Sequence, residues 1–242
     1  MLTEARGSNS IMTRLHPARP SGIHPVRIAC INKAKTPLDV PFDKLTKALQ
    51  KCYDRYFLPV WGYPVHLYNT KKPQPSDWRL YYLDDADDDD GADGDHYLTE
   101  DGQPVGRIFV KAALDGDGTV SITASHELFE LAIDPINNIW AEATARTLYA
   151  YEMCDPVEED TFEVDGLKMS NFVCPAWFEP FDHPKGTKFD YLGLLKKPFS
   201  MRKSGYVIIK RNGRVKEECG SRKKRARFNA EDRRGHRSTF RR

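Results

Sequence analysis

The stretch from Thr119 to Ile133 places the tightest limit on what this chain can become. Thr-Val-Ser-Ile-Thr-Ala-Ser-His-Glu-Leu-Phe-Glu-Leu-Ala-Ile reads as one helix. Asp134-Pro135 ends it, because the residue before proline disfavours the helical region. Successive helical residues turn by about 100°, so with His126 at the origin Glu127 falls near 100°, Glu130 near 40° and Asp134 near 80°. One imidazole and three carboxylates thus share about a third of the circumference. Leu128, Phe129, Leu131 and Ala132 take up the rest. A helix apolar over most of its surface belongs in a core. Buried carboxylates are costly unless they are paired, hydrogen-bonded or bound to a metal.

A divalent cation would relieve several of these groups at once. Residues four apart lie one turn apart on the same face, so His126 and Glu130 can approach one ion. Glu127 sits beside a ligand but points elsewhere, which suits a general base acting on an activated water. This is the logic of His-Glu-x-x-His on a helix, here with Glu130 in place of the second histidine. Alone, the same four residues also suit an amphipathic helix whose polar side meets water or basic groups. A second acidic cluster follows at Tyr151-Glu152-Met153-Cys154-Asp155-Pro156-Val157-Glu158. Glu152 lies far enough along the chain to return as a third ligand, with Asp155 and Asp134 as weaker candidates. Tyr149 and Tyr151 could donate to a developing oxyanion, though most tyrosines simply pack.

The remainder supplies a mixed set of elements. Val26 to Ile31 reads as a first strand, and Phe42, Leu45, Leu49, Cys52 and Tyr53 form a helical stripe within Pro41 to Tyr56. Val65 to Tyr68, Trp78 to Leu83 and Val105 to Ala112 read as further strands, with a turn at Asp115 to Gly118. Residues 147–180 read as short strands and turns, Asp165-Gly166 being a hairpin turn. Tyr206 to Ile209 reads as the last strand. The expected organisation is an arm over residues 1–25, an α+β domain over 26–209 and a basic tail over 210–242. The chain is 40% apolar, enough for a core. Cys30, Cys52, Cys154, Cys174 and Cys219 are odd in number and lack a CxxC pair, which argues against a disulfide framework or a cysteine zinc knuckle.

Charge is unevenly spread. Lys210 to Arg242 holds 14 Lys and Arg against 4 Asp and Glu, a net +10, so the rest of this +2 chain carries −8. Ten of the acidic residues fall between Asp84 and Asp101. Asp85 to Asp95 reads as an exposed, solvated loop; calcium is the alternative, but the spacing is not that of an EF-hand. Arg222, Lys223, Lys224, Arg225 and Arg227 offer phosphate neutralisation to a nucleic acid, against a simply solvated tail. His66, His96 and His183 lack partners at ligand spacing and read as surface or core residues. There is no run of apolar residues long enough for a membrane span, no Walker A loop and no nucleophile elbow.

Several strings together resemble a family of uncharacterised phage and bacterial zincin-like proteins. These are Ser125-His126-Glu127-Leu128 through Asp134-Pro135, Tyr151 through Glu158, Ser170-Asn171-Phe172-Val173 and Gly102-Gln103-Pro104-Val105-Gly106. The resemblance covers roughly residues 26–209. It implies a zincin-like mixed sheet with a metal-site helix preceded by an edge strand. Together with the residue spacing it makes a metal-dependent hydrolase, peptidase first, the leading expectation, with His126, Glu130 and Glu152 as metal ligands and Glu127 as the catalytic base. One divalent metal is expected, zinc first, with manganese or calcium as oxygen-favouring alternatives. A peptide or protein would be the substrate and the host cytoplasm or a virion the setting. The rival expectations are an inactive zincin-like structural or binding protein, and a nucleic-acid-associated protein acting through the tail.

Overall fold

The computed structural model describes residues 24–86 and 92–223. The expected arm up to residue 23, part of the acidic loop and the tail from residue 224 lie outside the described residues.

The chain is mixed α+β. β1 (Val26–Asn32) enters the core with Ile28, Ala29, Cys30 and Ile31 buried. α1 (Phe42–Cys52) follows, and Leu45, Ala48, Leu49 and Cys52 face inward at the spacing of its stripe. A π-helical turn at Tyr53–Phe57 and the short α2 (Leu58–Trp61) continue it to Gly62, whose φ of 82° closes the helix. β2 (Val65–Asn69) and β3 (Trp78–Leu83) then flank β1, both parallel to it. The long connection through α1 is what a parallel pair requires.

β4 (Gly94–Leu98) and β5 (Pro104–Phe109) complete a five-stranded sheet in the order β2-β1-β3-β5-β4. β5 runs parallel to β3, whereas β4 is antiparallel and forms the edge. The strand expected over Val105 to Ala112 therefore ends at Phe109, and Val110–Gly116 is a helix, α3. β4 itself corrects the expectation of a loop through Asp95. Asp95 stands opposite Arg107 in register, and the guanidinium Nε reaches its carboxylate at 2.8 Å. That cross-strand pair offsets the poor strand preference of an acidic sequence.

α4 (Val120–Ile133) is the central helix. Thr119 accepts from the Ser121 amide and Asp39 from the Val120 amide, so its first donors are satisfied. Every residue except His126 is buried. Phe129 stacks on Phe57 with centroids 4.4 Å apart and meets Phe172 edge-on. On another face Ser121 donates to the Lys168 carbonyl, and Ser125 accepts from the Ser170 amide at 2.8 Å.

The second half is antiparallel. β6 (Trp140–Thr144), β7 (Thr147–Ala150), β10 (Tyr206–Arg211) and β11 (Arg214–Cys219) form a sheet in the order β11-β10-β7-β6. β8 (Thr161–Val164) and β9 (Leu167–Ser170) make a hairpin turning at Asp165-Gly166, both at positive φ. The tail boundary expected at Lys210 falls inside β10, and the ladder runs on to Cys219. Packing of α4 against β4, β5 and β9 sets both halves of the molecule around one helix.

Candidate metal centre

α4 presents three site residues. His126 is part-exposed, while Glu127 and Glu130 are 5% and 3% exposed. The His126 Nε2 atom lies 3.4 Å from Glu130 Oε2 across one turn. The chain after β7 brings in Glu152, 7% exposed, and a 3₁₀ turn at Asp155–Val157 that begins with Asp155, 2% exposed. Asp155 Oδ1 is 3.2 Å from His126 Nε2, so His126, Glu130 and Asp155 converge. The other Glu130 oxygen accepts from the Cys154 amide at 3.0 Å, which fixes the carboxylate.

The third position beside His126 and Glu130 is thus taken by Asp155. Glu152, the expected third ligand, instead lies 3.8 Å from Nε2 of His96. Asp134 does not join the cluster: its two oxygens accept from the amides of Asn138 and Ile139 and shape the loop after α4. Of the expected nucleic-acid residues, Arg222 and Lys223 are exposed, and Lys224, Arg225 and Arg227 lie outside the described residues.

His96, on β4, is the site residue that sequence reasoning missed. It is 6% exposed, and its Nδ1 is 3.6 Å from Glu127 Oε2 and 3.7 Å from Glu130 Oε2. Tyr97 and Leu98 were the strand-favouring residues beside it, and the surrounding aspartates hide that signal. Gly94, two residues before, brings bare backbone against Glu127. A Cβ there would stand 2.8 Å from Glu127 Oε1 and from the Arg107 carbonyl. The sheet edge therefore presses on the buried Glu127 carboxylate.

Burial and crowding shift the titrations. Burial pushes Glu130 up to about 8, against the pull of His126 and with help from Asp155 and Glu152. Burial likewise lifts Asp155 to about 6 although His126 opposes it. Burial works against a charged His96, but Glu152, Glu127 and Glu130 outweigh it and raise the ring to about 9. His126 is raised well above its ordinary value by the same contest, with Glu130 its largest support.

Two imidazoles and four carboxylates held this closely suit a cation. Oxygen and nitrogen donors in these proportions fit zinc, and the oxygen share also fits manganese. Glu127 Oε2 and His96 Nε2 are buried without a hydrogen-bond partner, the condition that ligation or a bound water relieves. Cys30, Cys52 and Cys174 are buried and pushed up to about 12 by that burial, which disfavours their thiolates. Comparison of the chain with protein-family models, curated proteins and solved structures returned no match.

Proposed function

We propose that this chain is a metal-dependent hydrolase built on a zincin-like domain, cleaving peptide bonds. The observation that carries the reading is the buried convergence of His126, Glu130 and Asp155 beside a Glu127 oxygen that has no hydrogen-bond partner. His126, Glu130 and Asp155 would hold the ion, in place of the set with Glu152. A divalent cation bound there supplies Lewis-acid polarisation of a water or a carbonyl oxygen. Glu127 Oε2 accepts the proton of the attacking water, and Glu127 later returns it to the leaving amine. His96, raised towards its charged form, supports negative charge on Glu127 and Glu130.

Two features support a peptide as substrate. β4 ends the main sheet, so an extended chain can add to its outer edge and lie next to Glu127. The other is the resemblance of residues 26–209 to zincin-like proteins, although β5, the strand before the metal-site helix, lies inside the sheet and not at its edge, with α3 between them. Glu127→Gln is the direct test, on a broad peptide library with elemental analysis alongside. The variant should keep the ion at His126 and lose hydrolysis by roughly 10²–10⁴-fold. Equal turnover by both proteins would remove Glu127 as the base, and a wild type inactive on the whole library would favour a binding role.

A further inference from the structure

The site residues fall into two sets of three, and the two sets share one residue. His126, Glu130 and Asp155 form the first; His96, Glu127 and Glu130 form the second. Within each set the donor atoms all lie within 4.8 Å of one another, but the five residues do not form a single set at that distance. Donors on one ion can be no further apart than twice the metal–ligand bond, about 4.4 Å for bonds of about 2.2 Å. One ion is therefore too small to satisfy both histidines and all three carboxylates as they stand.

We propose that this centre takes two divalent cations, the second held by His96, Glu127 and Glu130, with Glu130 shared between them. Both imidazoles address the same oxygen: Glu130 Oε2 is 3.4 Å from His126 Nε2 and 3.7 Å from His96 Nδ1. Glu130 Oε1 is held by the Cys154 amide, which leaves Oε2 as the bridging atom. The second set has an independent mark of a ligand, because Glu127 is 5% exposed and its Oε2 has no hydrogen-bond partner. The far nitrogen of His96 faces Glu152 at 3.8 Å.

The inference rests on the hydrolase reading and adds a control to it. The second ion occupies Glu127 Oε2, the atom that otherwise accepts the proton. Hydrolysis accordingly runs with one ion bound and is suppressed when both are.

The test uses the full-length protein, stripped with a chelator and titrated with Zn²⁺ in a calorimeter, then dialysed and analysed for metal. Mn²⁺ is added in parallel and followed by electron paramagnetic resonance, since ions bridged by one carboxylate couple magnetically. Two equivalents with a coupled Mn²⁺ spectrum are expected in the wild type, and one equivalent with an uncoupled spectrum in His96→Ala. His96→Gln, which keeps size and polarity, serves if the alanine variant does not fold. One equivalent in the wild type overturns the second site and leaves the hydrolase reading standing. Two equivalents without coupling place the extra ion elsewhere, for example on the acidic stretch before β4, and also overturn it. No binding at all overturns both.

Discussion

At the scale of single residues, the centre is a balance of burial against charge. Glu130 and Asp155 are lifted to about 8 and about 6 because burial disfavours their ionised forms. His96 is lifted to about 9 because three carboxylates outweigh burial. All three groups hold protons more tightly folded than unfolded. Their contribution to stability is present at low pH and is lost as pH rises through these values. The metal-free protein should therefore melt at a lower temperature at pH 9 than at pH 6.5. Bound Zn²⁺ should reverse the order, because ligation requires the deprotonated forms and becomes tighter as pH rises. Thermal melts in chelator and in excess Zn²⁺ at the two pH values check both signs. Asp84, held near 2 chiefly by its hydrogen bonds to Thr36, acts only in strong acid and does not disturb this window.

At the scale of elements, the site depends on close backbone contacts. Gly205, just before β10, packs onto the turn that carries Asp155. A Cβ there would stand 2.7 Å from the Asp155 carbonyl oxygen and closer still to that of Pro156. Backbone cannot give way as a flexible side chain can, so Gly205→Ala must shift the turn. Because the carboxylate moves with the turn, Zn²⁺ affinity should fall by roughly 10–100-fold, the cost usual for losing support behind a ligand. Competition with a chromophoric chelator measures it; an unchanged affinity would show that Asp155 is not held by this contact. α4 is less vulnerable, since capping by Thr119 and Asp39 and the Phe57–Phe129–Phe172 stack fix it at several points.

At the scale of the whole molecule, charge separates the two ends. The net +10 after residue 209 contrasts with the acidic remainder of the sequence, and from Lys210 to Cys219 that segment is the end of β10, a turn at Asn212-Gly213 and β11. Removing residues 222–242 leaves β11 and the metal centre intact and deletes Arg222, Lys223, Lys224, Arg225 and Arg227. The full chain should bind DNA or RNA with little sequence preference and with affinity that falls steeply with salt. The truncated chain should lose that binding and keep its metal content. Filter binding at several salt concentrations, with elemental analysis of both proteins, tests it. Absence of binding by the full chain at low salt would assign the tail to neutralising the acidic body. No helix among the described residues is long and apolar enough to cross a membrane.

Local periodicity made much of this molecule legible. β1, α1, β2, β3 and α4 lie where hydrophobic spacing places them, because each has a face that must be buried whatever it packs against. The turn at Asp165-Gly166 was equally local, needing only residues that accept positive φ. The helical spacing of His126 and Glu130 brought those two together before any packing was known. Pairing partners decided the rest. β4 begins with the poor strand formers Gly94 and Asp95 after an acidic run, and it pairs because β5 supplies a ladder and Arg107 a counter-charge. β11 is a strand only through its ladder to β10, which no composition count of a basic tail reveals. The choice of Asp155 over Glu152 beside His126, and the arrival of His96 from the sheet edge, follow from how two distant segments fold onto α4. A helix determines its own faces through backbone geometry, but which side chains meet those faces depends on contacts far apart in the chain, and only the tertiary structure sets them.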